Sequence, residues 1–381
     1  MKWKKVIAAG IFFLLLFPLT AMAGDPQTTT DQLIADQLEN SGAEKLMEAL
    51  PDPIREVLRD FGITEISPKA LLSLQPGDFF GLIFALLKKS LSQPAELFFV
   101  VFGCILIAAL MNVLKSSFHA EGLNRVFSAV SVMAVSGAIL TPVTECIRSA
   151  ITAINDCTAF MTTMIPVMVG ILSAGGHTAQ ATTYQMLTFT ALEVISWLSG
   201  GVLVPFLMVY LALAIVGSVN PELELGSLGD FLKLLATWGL GLASTVFTAI
   251  FGVQTFISAS ADTVGMKAGR FLVGNFVPVV GSAISEALGS IHSCLKLIRT
   301  AVGGFGILCA ALIFLPSIAD VGIWILIAKL SATVADLFRA EGISKLLKAV
   351  SATLSLLGAI LLFFAAIAII TTALTMTVGV G

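Results

Sequence analysis

Charged side chains are scarce in this sequence. Asp, Glu, Lys and Arg make up 12% of it, about half the share found in soluble domains, which excludes an ordinary water-soluble fold. Histidine is scarcer still. His119, His177 and His292 stand far apart, with no H-E-x-x-H and no carboxylate at metal-ligand spacing. There is no G-x-x-x-x-G-K for nucleotide phosphates, no G-x-S-x-G elbow, and no serine with an evident base beside it. The reading is therefore that the protein is not an enzyme and carries no cofactor. Five cysteines (Cys104, Cys146, Cys157, Cys294, Cys309) form no C-x-x-C pair. An odd, scattered set argues against a disulfide framework and fits small apolar residues at helix packing surfaces. No basic surface of the kind that binds nucleic acid is left over.

What fills the sequence instead is hydrocarbon. Apolar residues make up 57% and the mean hydropathy is +0.98. Several runs approach or exceed the ~18–20 apolar residues that cross a bilayer. The fold class is all-α: a polytopic helical membrane protein with about 7–8 spans after a cleavable signal peptide. Spans are expected near 96–114, 124–143, 183–199, 202–218, 236–257, 301–317, 319–335 and 351–375. The pairs 183–218 and 301–335 each read equally as a tight hairpin or as one long tilted helix. The start, "MKWKKVIAAGIFFLLLFPLTAMAGD", has a basic head, an apolar middle and a small-residue exit at Ala21-Met22-Ala23. This is the pattern of a secretory signal; residues 1–23 are read as the signal, with an uncleaved first span as the other reading. Either one puts residues 24–93 outside the cytosol.

Charge is unevenly spread. Between Gly24 and Asp78 stand eleven acidic residues against four basic ones. Helical spacing of Leu33, Ile34, Leu38, Leu46, Met47 and Leu50, then of Ile54, Val57, Leu58 and Phe61, makes 24–93 a small acidic helical segment. The membrane domain is 94–381. Its alternation places in the cytosol the connections carrying Lys115 and Arg125, the stretch 258–300 with Lys267, Arg270, Lys296 and Arg299, and the connection with Arg339, Lys345 and Lys348. "NPELELGSLGD" (220–230), without Lys or Arg, falls outside, in keeping with the positive-inside rule. The C-terminus is placed outside.

A repeat runs through this domain. "LIAALMNVLKSSFHAEGLNRVFSAVS" (106–131) matches "LIAKLSATVADLFRAEGISKLLKAVS" (326–351) without a gap. Phe118/Phe338, Glu121/Glu341 and Gly122/Gly342 are among the shared positions. The reading is an internal duplication around 106–140 and 326–361, in parallel orientation, a building plan common in transporters.

Two features invite a functional reading. Glu193 and Asp320 are ionisable groups inside spans, and such groups usually face protein or water. They read either as lining a pore or proton path or as ordinary polar helix contacts. The second feature is "GRFLVGNFVPVVGSAISEALGS" (269–290), an apolar stretch broken by Gly274, Pro278 and Gly281 and carrying Arg270, Asn275 and Glu286. Non-helical backbone at membrane depth has to be satisfied by protein or by water. An interfacial or re-entrant element, a substrate-binding broken helix and a plain loop remain open, with a structural or interaction joint favoured over a binding site.

The run from Lys267 through "GRFLVGNFVPVVGSAISEALGSIHSCLKLIRTAVGGFG" resembles the stage III sporulation protein AE family. The residues that carry the resemblance are Arg270, Asn275, Phe276, Pro278, Val279, Gly281 and Glu286, then Ala301, Val302 and Gly303. It implies a component of a channel or feeding apparatus in the mother-cell membrane around the engulfed forespore. It further implies two kinds of partner: other membrane proteins of the same stage III operon, and a forespore-side channel protein. The family implies no catalytic residues. A secondary transporter with broken helices near the membrane midplane is the alternative from a different class.

Overall fold

The computed structural model describes residues 41–66, 77, 81, 83–84, 92–115, 121–220, 226–276 and 281–377. Of 92–93, 112–115, 121–125, 195–196, 199–200, 226, 254–276 and 281–292 it describes the backbone. The signal at 1–23 lies outside the described residues, as does Pro278. Two short helices come first, α1 (Glu44–Glu48) and α2 (Asp52–Asp60). The bundle follows with α3 (Ser92–Lys115), α4 (Glu121–Ala174), α5 (Thr178–Trp197), α6 (Val204–Val219), α7 (Gly226–Phe276), α8 (Gly281–Leu337) and α9 (Glu341–Thr377). No strand occurs among the described residues.

Among the described residues six helical stretches are long and apolar enough to cross a membrane. In both places where a hairpin and a long helix stood open, the chain makes the long helix. Pro316 lies inside α8, which runs unbroken through the expected break at 318. Between α5 and α6 the six residues Leu198–Leu203 form a π-helical turn rather than a reversal, so helical backbone is continuous from Thr178 to Val219. A wider turn absorbs Gly200 and Gly201 without breaking the backbone ladder, and Pro205 falls within the first two residues of α6, where its missing N–H costs little.

This continuity corrects the expected alternation. An alanine-sized side chain on Gly342, at the start of α9, would touch Val132 and Ser128 of α4 and the carbonyl of Ser218 at the end of α6. Ser218, at the end of α6, therefore lies at the same end of the bundle as the basic turn at 338–341. It does not lie opposite that turn, as two spans in 183–218 would require. The stretch 258–300 is likewise no open connection: its backbone is helical to Phe276 and again from Gly281.

The two copies of the repeat occupy matching places. Glu121 opens α4 and Glu341 opens α9. α3 packs on both α4 and α8, and the Phe102 and Phe338 rings meet edge-on at 6.4 Å. α8 closes with a capped turn: Ala340 N–H donates to Ala335 O (2.9 Å) and Arg339 N–H to Asp336 O (3.1 Å). The α4–α5 turn repeats this at Leu172–His177 with Gly176 in the left-handed region, the residue this cap prefers. At the α8 turn the position is held by Arg339, φ 56°.

α8 and α9 form the centre, with α4 packed on both. Phe160, Phe305, Phe314 and Phe364 are fully enclosed there. α7 is the opposite case: its apolar window is 6% buried, against 56% in α9. Residues 41–66 make a small unit of their own around Leu46, Leu50, Ile54, Leu58 and Ile63. Arg55 ties it by donating to the carbonyls of Glu48 (3.0 Å) and Leu50 (2.8 Å). The segment also touches the bundle. Its α1 contacts α4 and its α2 contacts α8 of the same chain.

Candidate functional site

One surface of the bundle changes character abruptly, and it lies on α4. From Val126 to Leu140 the exposed positions include five large apolar side chains, Val126, Phe127, Val130, Met133 and Leu140, with Ser128, Ala134 and Gly137 among them. From Thr141 onward none of the exposed positions holds a large apolar side chain. The outward face is Thr141, Glu145, Arg148, Thr152, Asn155 and Thr162, continued by small residues and Ser173. Their spacing of three and four keeps them on one stripe of the helix. The opposite face, with Cys146, Ile147, Ile154, Phe160, Met164 and Met168, is buried in the core. Arg148 and Glu145 cannot sit unpaired in hydrocarbon, and such groups face protein or water.

Behind this stripe α4 is fastened to α8 beside Pro316. Ser149 and Ser317 share a hydrogen bond at 2.8 Å between their hydroxyls, and the Ser317 hydroxyl also donates to Ser149 O at 3.2 Å. A proline inside α8 leaves a carbonyl one turn back without its usual donor, and serine pairs are among the groups that hold membrane helices together at such points. Asp320, three residues past Ser317, is half-buried and flanks Cys146 together with Glu145. Glu193 is exposed on α5. The structure thus brings Asp320 to the α4–α8 seam and leaves Glu193 on the surface.

Further along the same seam the chain needs glycine. A side chain on Gly306 would collide with the Met164 Sδ at 2.6 Å and with its terminal methyl. One on Gly303 would lie 2.5 Å from Met376 Cγ of α9. Small residues that admit a neighbour's side chain are the usual device for close packing in membranes. Of the residues singled out at 269–290, Arg270 and Asn275 lie on helical backbone in α7, and Gly281 and Glu286 on helical backbone in α8; their side chains are outside the described residues. Among the described residues no group of three or more His, Cys, Asp and Glu is placed to hold a metal.

The family described as Stage III sporulation protein AE (spore_III_AE) matches residues 67–379, the whole bundle. The chain belongs to that family. It is also similar to Stage III sporulation protein AE of Bacillus subtilis (strain 168), 21% identical over 296 residues, covering 75% of this chain and 74% of the relative. No solved structure matches it. Membership makes this a stage III sporulation protein of the helical membrane class.

The polar stripe of α4 escaped the sequence reading, which took 124–143 as a span and left 144–182 without one. The signal was present: Thr141, Glu145, Arg148, Thr152 and Asn155 recur at helical spacing. Of the residues that carried the family resemblance, Gly303 acquires a definite role, the seat of Met376.

Proposed function

We propose that the protein is a membrane component of a sporulation channel complex between mother cell and forespore, required for forespore development. Family membership over residues 67–379 carries this reading. In it the protein sits in the mother-cell membrane around the forespore, with residues 24–93 on the extracytosolic side. Its partners are other membrane proteins of the same stage III operon and a forespore-side channel protein. The polar stripe of α4 supports the reading, because an assembly in or beside a membrane needs a face that meets water or a partner rather than lipid. The role is non-enzymatic: the chain's groups position and seal, and none performs a reaction.

The test is deletion of the gene in the source organism, followed by time-lapse microscopy with a late forespore-expressed reporter. Normal vegetative growth, with engulfed forespores that shrink and lose the reporter, is the expected result. Normal spores, or a growth defect tied to one nutrient, would overturn it. A secondary transporter is the second reading, favoured by the π-helical turn at Leu198–Leu203 close to Glu193. Glu193→Gln with Asp320→Asn separates the two. Sporulation at the wild-type level removes proton-coupled transport through those carboxylates.

A further inference from the structure

Three helices converge near the basic turn on a cleft of about 530 Å³, within the range of small-molecule sites. Each contributes one lysine: Lys233 from α7, Lys329 from α8 and Lys348 from α9. The three stand at one level. Lys233 and Lys348 are each the eighth residue of their helix, and Lys329 lies eight residues before the end of α8. At 1.5 Å per residue that is about 10–12 Å in from the helix ends. Lys348 is partly neutralised by Asp336, 2.7 Å from its Nζ. Lys233 and Lys329 have no ion-pair partner among the described residues.

The walls between the lysines carry hydroxyls. Thr237 and Thr333 lie one turn from Lys233 and Lys329, and Ser351 and Ser355 follow on α9. Ser351, a buried residue, lines the cleft wall. Deeper in, the α9 side of the lining turns apolar with Ala352 and Leu356, while Ala332 lies nearer the turn. Leu326 and Leu330 stand exposed on α8 beside it. Cationic groups at a common depth, with hydroxyls around them and apolar side chains deeper on α9, match an anion carrying an acyl tail.

We propose that this cleft binds the phosphate of an anionic phospholipid head group. Three ammonium groups less one carboxylate leave a net charge that calls for an anion, and a lysine is a compact phosphate-binding charge. Basic pockets between spans at the positively charged end of a membrane protein hold anionic head groups in this way. The apolar side chains deeper on α9 favour a lipid over a free phosphate, which would find no partner there.

The experiment uses the purified full-length chain in mild detergent. Native mass spectrometry reads retained lipid, and melting temperature reads protection by phosphatidylglycerol, phosphatidylcholine or inorganic phosphate. Phosphatidylglycerol should be retained at a concentration at least tenfold below phosphatidylcholine. Lys233→Gln with Lys329→Gln should erase that preference. Lys345→Gln, an exposed lysine of α9 outside the cleft, should leave it intact, and Lys233→Arg with Lys329→Arg should retain it, which separates lost charge from lost fold. Equal retention of the two lipids, or an unchanged preference in the double Gln variant, would overturn the site. Inorganic phosphate protecting as well as phosphatidylglycerol would overturn the lipid source.

Discussion

Replacing Gly342 by alanine tests whether the bundle closes at the basic turn as described. The added Cβ would lie 2.8 Å from Val132 Cγ2, 3.3 Å from Ser218 O and 3.5 Å from Ser128 Oγ. Carbon pairs prefer about 3.5–4.0 Å, so the first contact is short by roughly an ångström. Val132 is 1% exposed and β-branched, held to one rotamer in a helix, and Ser218 contributes backbone; neither has a side chain that swings away. Overpacking of this kind costs about 1–3 kcal/mol. Alanine returns at most about 1 kcal/mol of helix propensity, and less so close to the helix start. A net loss of about 1–2 kcal/mol is expected. Gly322 gives the matched control, since a Cβ there meets nothing within 4 Å; Gly322→Ala should gain about 0.5–1 kcal/mol. Reversible unfolding in mixed micelles, titrated with a denaturing detergent, ranks the two against wild type. If Gly342→Ala proves as stable as Gly322→Ala, the convergence of α4, α6 and α9 at that point is wrong.

Three further outcomes follow from the same geometry. Arg339→Gly should stabilise the protein by about 1 kcal/mol, because the left-handed position at φ 56° strains every residue but glycine; the same titration with Arg339→Ala, which keeps the strain, should show no gain. Ser317→Ala should cost about 0.6–1.7 kcal/mol, the range of interhelical hydrogen bonds in membranes, and a double-mutant cycle with Ser149→Ala should show most of that as coupling; purely additive losses would deny the pair. Arg55→Ala removes both carbonyl contacts in the 41–66 unit at about 1.5–3 kcal/mol for a charged donor. Hydrogen exchange should then rise within 41–66 and stay unchanged in α8; a uniform rise would show that the unit is not separable.

How far the sequence led depended on which physical signal each element gives. The helical membrane class was legible because hydropathy reports it directly. The end of α3 and the opening of α4 were legible to within a few residues, whereas α9 opens at Glu341, ten residues before the span read at 351. The continuity of α8 through Pro316 was not legible, because proline breaks a helix in water but is tolerated where neighbouring helices satisfy the freed carbonyl. Gly200, Gly201 and Pro205 are residues that turns favour, yet here they lie in or beside a π-helical turn. The side assigned to 220–230 went wrong with them, because one crossing read as two inverts the connection that follows, until the second such pair, 301–335, restores it. The lysine cleft was illegible in another way. Lys233, Lys329 and Lys348 come from three distant segments, and only their equal depth from the helix ends joins them. The sequence reading took Lys348 as a mark of orientation, which is all that a single lysine near a helix end can signal.

Hydropathy also conceals the largest feature of the bundle, its length. The hydrocarbon core of a bilayer is about 30 Å thick, or about 40–45 Å with its head groups. α3, with 24 residues, is about 36 Å long and fits. α4 has 54 residues and α8 has 57, about 81 and 86 Å, so close to half of each lies beyond any single crossing. On α4 the exposed face identifies which half, because it turns from apolar to polar at Thr141. The part that runs on to the α4–α5 turn is still rich in Ile, Met and Phe, but it buries them against α8 and α9. α9 is uniformly apolar because its window lies more than half inside the protein, whereas α7 is apolar because its window is almost wholly outside. The same hydropathy thus arises from a core helix and from a lipid-facing one. Only the exposure of individual side chains tells them apart, and it assigns the polar stripe of α4 to a face that lipid does not cover.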